Sequence, residues 1–197
     1  MVSIVFAGVG GQGVITVAMI IGRAAVLEGK NVLMTELHGM AQRGGKISVE
    51  VRIGDYKSAI IPGGTADAIV AFEELEAVRN VAKLKEGGII LLSRRKIHPV
   101  SMTMKNQNYP DELIQNELNK YTMMNVEADQ VALELGYKRV ANTVMVGAVY
   151  STGLLGLREE SLITAIKESL PEKVWKVNLL AFEHGKRLLP VEAASSL

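Results

Sequence analysis

Cysteine is absent from this chain of 197 residues. Its absence excludes disulfide bonds, a thiol nucleophile and an iron–sulfur cluster held by cysteines of this chain. The three histidines, His38, His98 and His184, lie far apart and do not show the spacing of metal ligands. The sequence therefore predicts no metal site and identifies no catalytic residue.

An excess of charge is also missing. The chain has 22 lysines and arginines against 21 aspartates and glutamates, a formal net charge of +1. Its longest basic run is the tripeptide RRK at 94–96. Proteins that bind nucleic acids carry a clustered basic surface, so we expect no nucleic-acid partner.

Long uninterrupted apolar runs are missing too. The most apolar stretch, residues 140–157, is shorter than the roughly 20 residues that span a bilayer. It also contains Asn142, Thr143 and Ser151, which favour a helix buried within the protein. The first residues contain no basic segment and no small-residue cleavage site. We therefore expect a cytoplasmic protein without a membrane segment.

Strand-like and helix-like segments alternate along the first 128 residues, and further helical segments follow. The predicted strands span 3–8, 31–36, 46–54, 66–72, 87–93 and 122–128. The predicted helices span 11–30, 73–85, 110–121, 127–135, 140–156, 158–169 and 172–188. This order predicts one three-layer, Rossmann-like α/β domain over residues 1–197, with a mostly parallel sheet and a helical C-terminal part. Residues 190–197 carry no signal for an ordered element.

The turn after the first predicted strand is rich in glycine. Gly8, Gly10 and Gly13 satisfy the G-x-G-x-x-G spacing that cradles a dinucleotide pyrophosphate, and Gly11 and Gln12 complete the loop. An acidic residue about 20 residues further on binds the adenine ribose in such proteins, and Glu36 has this position. Two interpretations stay open: an NAD- or FAD-binding site, and a tight strand-to-helix turn without a ligand.

A second glycine-rich loop follows the second predicted strand. In ELHGMAQRGG, residues 36–45, Arg43 is an unusual neighbour for a ribose. Its guanidinium suits a carboxylate or a phosphate of another molecule, but it can equally form an ion pair with Glu36. His38 can carry protons near neutral pH, yet no carboxylate partner is evident, which favours a structural or exposed histidine. For Gln12 we favour a hydrogen bond to the backbone of the adjacent loop over a contact across an interface.

Ligand sites in open α/β sheets lie beyond the carboxyl ends of the strands, so the loops 8–13, 37–45 and 73–75 should meet at one edge. The residues expected at this edge are Gly8, Gly10, Gly11, Gln12, Gly13, Glu36, His38, Gly39, Arg43, Gly44 and Gly45. The glutamates at 73, 74 and 76 open a predicted helix, where carboxylates favour the positive end of the dipole. We expect them to cap the helix and to be solvated.

The motifs GVGGQGV, ELHGMAQRGG, VRIG, ADAIVAFEELEAVRN and RVANTVMVGA occur in this order over most of the chain. Together they resemble the gamma-type component of 2-oxoacid:ferredoxin oxidoreductases. HGMAQRGG in particular is similar to the beta subunits of the indolepyruvate ferredoxin oxidoreductases in that family. This combination is far more specific than the glycine spacing alone.

The resemblance implies a Rossmann-like subunit with no cofactor of its own that is inactive in isolation. It implies a large alpha subunit with thiamine- and ferredoxin-type domains, which holds thiamine diphosphate, Mg²⁺ and iron–sulfur clusters. The assembled hetero-oligomer would oxidatively decarboxylate aryl pyruvates with coenzyme A and pass electrons to ferredoxin. Two alternatives are a free-standing dinucleotide-binding enzyme and a regulatory binding module on the same fold.

Overall fold

The computed structural model describes residues 1–39, 44–97 and 108–188, and six strands within these ranges form one sheet. The strands are β1 (Val2–Val9), β2 (Val32–His38), β3 (Lys46–Ile53), β4 (Ala66–Ala71), β5 (Leu84–Leu92) and β6 (Thr122–Asn125). Their order across the sheet is β2-β3-β1-β4-β5-β6. β3 is antiparallel to both of its neighbours, and the other adjacent pairs are parallel. The predicted mostly parallel sheet is confirmed.

Helices cover both faces of this sheet. The described helices are α1 (Val14–Leu27), α2 (Glu74–Asn80), α3 (Asp111–Leu118), α4 (Ala128–Glu134), α5 (Ala141–Ser151), α6 (Glu159–Ser169) and α7 (Trp175–Arg187). Side chains of α1 and of α4 to α7 form one apolar core with one face of the strands. Side chains of α2 and α3 form a second core on the opposite face. The three-layer α/β arrangement is therefore as predicted.

The central strand β1 is buried along its whole length because it has a partner on each side and helices above and below. Ile4 and Phe6 point into one core and Val5 into the other, which explains its continuous apolar sequence. β3 instead alternates apolar and polar residues. Only the middle of its polar face is covered: Glu50 is fully buried, accepts a hydrogen bond from the Ile61 N–H and pairs with the Lys83 ammonium.

All seven predicted helices are shorter in the structure, and in three of them the structure shows what ends or delays the helix. The helix predicted over 73–85 ends at Asn80, because β5 already begins at Leu84. The helix predicted over 140–156 ends at Ser151, where the Thr152 hydroxyl donates to the Val149 carbonyl and Gly153 takes a left-handed conformation. The helix predicted over 172–188 has a 3₁₀ turn over Glu172–Val174 before α7.

The α5 and α7 backbones touch. A Cβ atom at Gly147 of α5 would overlap the Phe182 carbonyl oxygen of α7, and one at Gly185 would overlap the Val144 carbonyl oxygen. Only glycine fits at these two positions, so the pair fixes how α5 lies against α7.

No helix in the described ranges is long and apolar enough to cross a membrane. Two predictions, the role of Arg43 and the state of residues 190–197, concern residues outside those ranges.

Candidate functional site

The glycine-rich turn between β1 and α1 is held together by the Gln12 side chain. Its Oε1 accepts a hydrogen bond from the Val9 N–H at 2.6 Å, and its Nε2 donates to the Phe72 carbonyl oxygen at 2.7 Å. The side chain folds back beside Gly8, where a Cβ would overlap Gln12 and Val14. Gln12 therefore links the turn to the end of β4 through backbone groups of its own chain.

Gly13 directly precedes α1 and has a left-handed backbone conformation with φ 78°. Residues with a side chain rarely adopt this conformation. The Asn142 amide of α5 lies directly against it, so that a Cβ on Gly13 would overlap this amide. Gly13 is the third glycine of the dinucleotide-binding spacing, the one that leaves space for close packing rather than for the pyrophosphate. Asn142 fills that space, and the glycine spacing serves the packing of α5 on the turn.

The two glycine-rich loops meet at the carboxyl edge of the sheet. The Gly10 N–H donates to the Gly45 carbonyl oxygen at 2.9 Å, and the Gly39 N–H donates to the Lys46 carbonyl oxygen at 2.9 Å. Gly11, Gly13 and Gly44 lie in the same two loops, and Gly8 lies near the end of β1. Phe72 and Glu73 follow β4 at this edge, so the structure brings together the three segments that the strand ends predict.

His38, the last residue of β2, has a carboxylate partner that the sequence analysis did not identify. Its Nε2 lies 3.0 Å from Glu36 Oε2, because residues two apart on a strand share a face. Both side chains are exposed, so the contact contributes little to stability. The contact also engages the Glu36 carboxylate, which the dinucleotide-binding spacing would assign to the adenine ribose.

The glutamates at the start of α2 are buried, which corrects the expectation that they are solvated. Glu73 caps the helix as predicted by accepting the Glu76 N–H at 2.9 Å, and it also binds the Tyr109 hydroxyl. Glu76 pairs with Arg79. The Glu74 Oε2 has no hydrogen-bond partner within the described ranges, and burial raises the pKa of the Glu74 carboxyl above its usual range.

A cavity of about 200 Å³ opens at the carboxyl edge beside the glycine-rich turn. Gly11 and Gln12 form one wall, Phe72 and Ser93 lie at the ends of β4 and β5, and Asn142 faces them from the start of α5. This volume is smaller than the roughly 300–1,000 Å³ of pockets that enclose a cofactor or drug-sized ligand. A whole dinucleotide does not fit in it.

The rim of this cavity is mainly cationic. Arg95, Lys138 and Arg139 line it together with one carboxylate, Asp129. Arg95 Nε lies 3.6 Å from Asp129 Oδ2, whereas Lys138 and Arg139 form no ion pair within the part of the chain that the structure describes.

The sequence analysis missed the far wall of the cavity. Ser93, Arg95 and Lys138 lie outside the motifs that carry the family resemblance. Arg139 and Asn142 lie in the last of these motifs, RVANTVMVGA, but the sequence analysis assigned them no role in a site. The signal available was positional, since SRR directly follows a buried strand, and such residues lie at the carboxyl edge.

The described residues do not fit a metal centre or a cluster. The chain has no cysteine, and within 1–39, 44–97 and 108–188 no three histidines, aspartates or glutamates converge in a way that can hold a metal ion.

Residues 3–188 match the family model of pyruvate ferredoxin/flavodoxin oxidoreductases. The chain is 41% identical over 181 residues to indolepyruvate oxidoreductase subunit IorB of Methanothermobacter thermautotrophicus, which covers 90% of this chain and 92% of that protein. It is 41% identical over 187 residues to the IorB subunit of Archaeoglobus fulgidus, covering 93% and 92%.

The fold is shared with a solved structure, the gamma subunit of keto/oxoacid ferredoxin oxidoreductase from Geobacter sulfurreducens PCA. The TM-score is 0.71 at 26% identity, and the match covers 100% of both chains. These matches confirm the resemblance that the motifs carry. This chain therefore belongs to the pyruvate ferredoxin/flavodoxin oxidoreductase family.

Proposed function

We propose that this chain is the small subunit of an enzyme that oxidatively decarboxylates indolepyruvate or another aryl pyruvate. The observation that carries the proposal is the 41% identity to indolepyruvate oxidoreductase subunits over about nine-tenths of both chains. In the reaction, the bond between the carboxyl carbon and the keto carbon breaks and CO₂ leaves. The acyl group passes to the sulfur of coenzyme A, and two electrons pass to ferredoxin.

The chemistry resides in a large alpha subunit. Without cysteine, this chain cannot ligate the iron–sulfur clusters that carry electrons to ferredoxin. Its carboxyl-edge cavity is also too small to enclose thiamine diphosphate. The family resemblance assigns thiamine diphosphate, Mg²⁺ and the clusters to the partner, and both observations support this assignment. This chain completes the assembly in the cytoplasm.

The surface that faces the partner is the carboxyl edge. Its two glycine-rich loops allow close backbone approach, and Arg43 lies in the second of them. Leu37 and His38 at the end of β2 are about half exposed, so this edge also offers apolar and polar side chains for contact.

Reconstitution tests the proposal. The chain is co-expressed with a tagged large subunit of the thiamine- and ferredoxin-type class from the same genome, and co-purification is measured. Ferredoxin reduction is then followed with coenzyme A and indolepyruvate, phenylpyruvate, pyruvate or 2-oxoglutarate. We expect a stable complex and turnover of the aryl substrates, with no turnover by either chain alone.

Turnover by the single chain, free of large subunit, would contradict the proposed division of labour. Preference of the complex for pyruvate or 2-oxoglutarate would contradict the substrate class alone.

A further inference from the structure

The outer edge of β2 is open. β2 comes first in the order of the sheet, and no strand in the described ranges pairs with it on the side away from β3. Its seven residues pair with β3 without a bulge and include no proline and no lysine. Natural proteins protect edge strands by shortening them, by bulges, or by lysine and proline, because an open edge pairs readily with another strand. β2 has none of these protections, so its edge is suited to pairing with another strand.

The backbone groups on this edge follow from the pairing with β3. The Gly39 N–H donates to the Lys46 carbonyl oxygen, and the Asn31 carbonyl oxygen accepts the Gly54 N–H. Alternate residues of an antiparallel strand bond to one neighbour, so the odd-numbered residues of β2 face β3. The N–H and C=O groups that point outward belong to Val32, Met34, Glu36 and His38.

Apolar side chains flank the open edge on both faces of the sheet. A Cβ at Gly22 of α1 would lie 3.4 Å from Val32 Cγ1, so this side of α1 faces β2. Met19 and Val26, three residues before and four after Gly22, lie on the same side of the helix and are 52% and 58% exposed. On the other face of the sheet, Leu37 is 45% exposed. A strand added beside β2 would therefore cover apolar surface as well as backbone.

The geometry points to antiparallel pairing of β2 with β2 of a second copy of this chain, about a twofold axis at Thr35. This register overlaps the whole strand, Val32–His38. Leu33 then lies opposite Leu37 of the copy, and Thr35 lies opposite Thr35, which are favourable cross-strand pairs. Centring the axis on Glu36 instead would place two carboxylates directly opposite each other, which is unfavourable. The strand is thus complementary to itself in one register.

This interface joins two small subunits and goes beyond the proposed function. It lies along the side of β2, whereas the surface proposed for the large subunit lies at the strand ends. The two contacts are therefore tested separately.

A single introduced cysteine tests the register, because the chain has no cysteine of its own and any disulfide must join two copies. Residues opposite each other in a non-hydrogen-bonded antiparallel pair have Cα atoms about 4.5 Å apart, within reach of a disulfide. Thr35→Cys in the full chain should give a covalent dimer on mild oxidation, seen on a non-reducing gel. Leu37→Cys is the matched control, since the two copies of residue 37 would be more than about 10 Å apart and should stay uncoupled.

Sedimentation equilibrium of the full chain tests the association itself. We expect a reversible dimer, and Leu37→Lys should weaken it at least about ten-fold because two leucines per dimer lose an apolar partner. Leu113→Lys replaces an exposed leucine of α3 and should leave the association unchanged. The melting temperature of each variant confirms that it is folded.

A parent chain that stays monomeric over the accessible concentration range would overturn the inference. Coupling of Leu37→Cys as efficient as that of Thr35→Cys would overturn it too, because the proposed register would then be wrong. Either result leaves the subunit assignment intact, because that assignment is tested by reconstitution with the large subunit.

Discussion

Removal of the Gln12 side chain should destabilise the turn on which the candidate site is built. Gln12→Ala deletes the hydrogen bonds to the Val9 N–H and the Phe72 carbonyl oxygen. Both backbone groups belong to buried residues and would lose their partners. Each lost hydrogen bond lowers the free energy of unfolding by about 1 kcal/mol, and each backbone group left unpaired lowers it further. We therefore expect Gln12→Ala to lower the free energy of unfolding by about 2–4 kcal/mol.

A second variant separates the two bonds. In Gln12→Glu the carboxylate still accepts the Val9 N–H, but it has no proton to donate to the Phe72 carbonyl oxygen. At neutral pH it should therefore be less stable than the parent. As pH falls and the carboxyl takes up a proton, it regains a donor, and its stability difference from the parent should narrow.

The measurement is urea unfolding of the full chain at 25 °C, with Gln130→Ala as the control. Gln130 lies exposed on α4, where its only side-chain hydrogen bond within the described ranges is to Glu134 at 3.3 Å. Gln130→Ala should therefore lower the free energy of unfolding by less than about 0.5 kcal/mol. Equal effects of Gln12→Ala and Gln130→Ala would refute the bracing role of Gln12.

Four further predictions concern ligands, the partner and buried charges. The isolated chain should bind neither NAD(P) nor flavin, and calorimetric binding at micromolar concentration would contradict this. Arg43→Ala should lower the activity or the assembly of the reconstituted enzyme while the melting temperature of the single chain stays unchanged; a lower melting temperature with full activity would instead indicate an internal brace. Lys83→Ala leaves Glu50 buried without its cation and should lower the free energy of unfolding, measured in urea, by about 2 kcal/mol or more. Lys85→Ala removes an exposed ion pair and should lower this free energy by less than about 1 kcal/mol. Burial raises the pKa of Glu74, so ionisation of this carboxyl opposes folding. Glu74→Gln should therefore have a higher free energy of unfolding than the parent at pH 7. This difference in free energy should vanish below the usual pKa of a glutamate, where the parent carboxyl is neutral in both the folded and the unfolded state.

The first βα turn is predictable from the sequence because its signals are local. An apolar run, a glycine turn and a helix ending near Gly29 predict β1 to within one residue and α1 to within three residues at each end. The position of β3 between β1 and β2 is not predictable in this way. Its register pairs Ile53 with both Val2 and Val32, and nothing in a single segment encodes such distant partners.

The candidate site is likewise predictable only where its signals are local. The turn and the edge follow from glycine spacing and strand order. The burial of Glu73 depends on Tyr109, 36 residues away, since glutamates are exposed unless such a partner is present. Ser93 and Asn142 share a cavity only because α5 packs on the first turn, and neither residue stands out in its own segment.

The glycine contact between α5 and α7 limits how the cavity can change shape. At Gly147 and Gly185 the two backbones interlock without intervening side chains, so neither helix can slide past the other in the small shear movements that packed helices usually allow. Asn142 at the start of α5 can then withdraw from Gly13 only if α7 moves with it. Any opening of this edge would therefore move α5 and α7 together as one rigid pair.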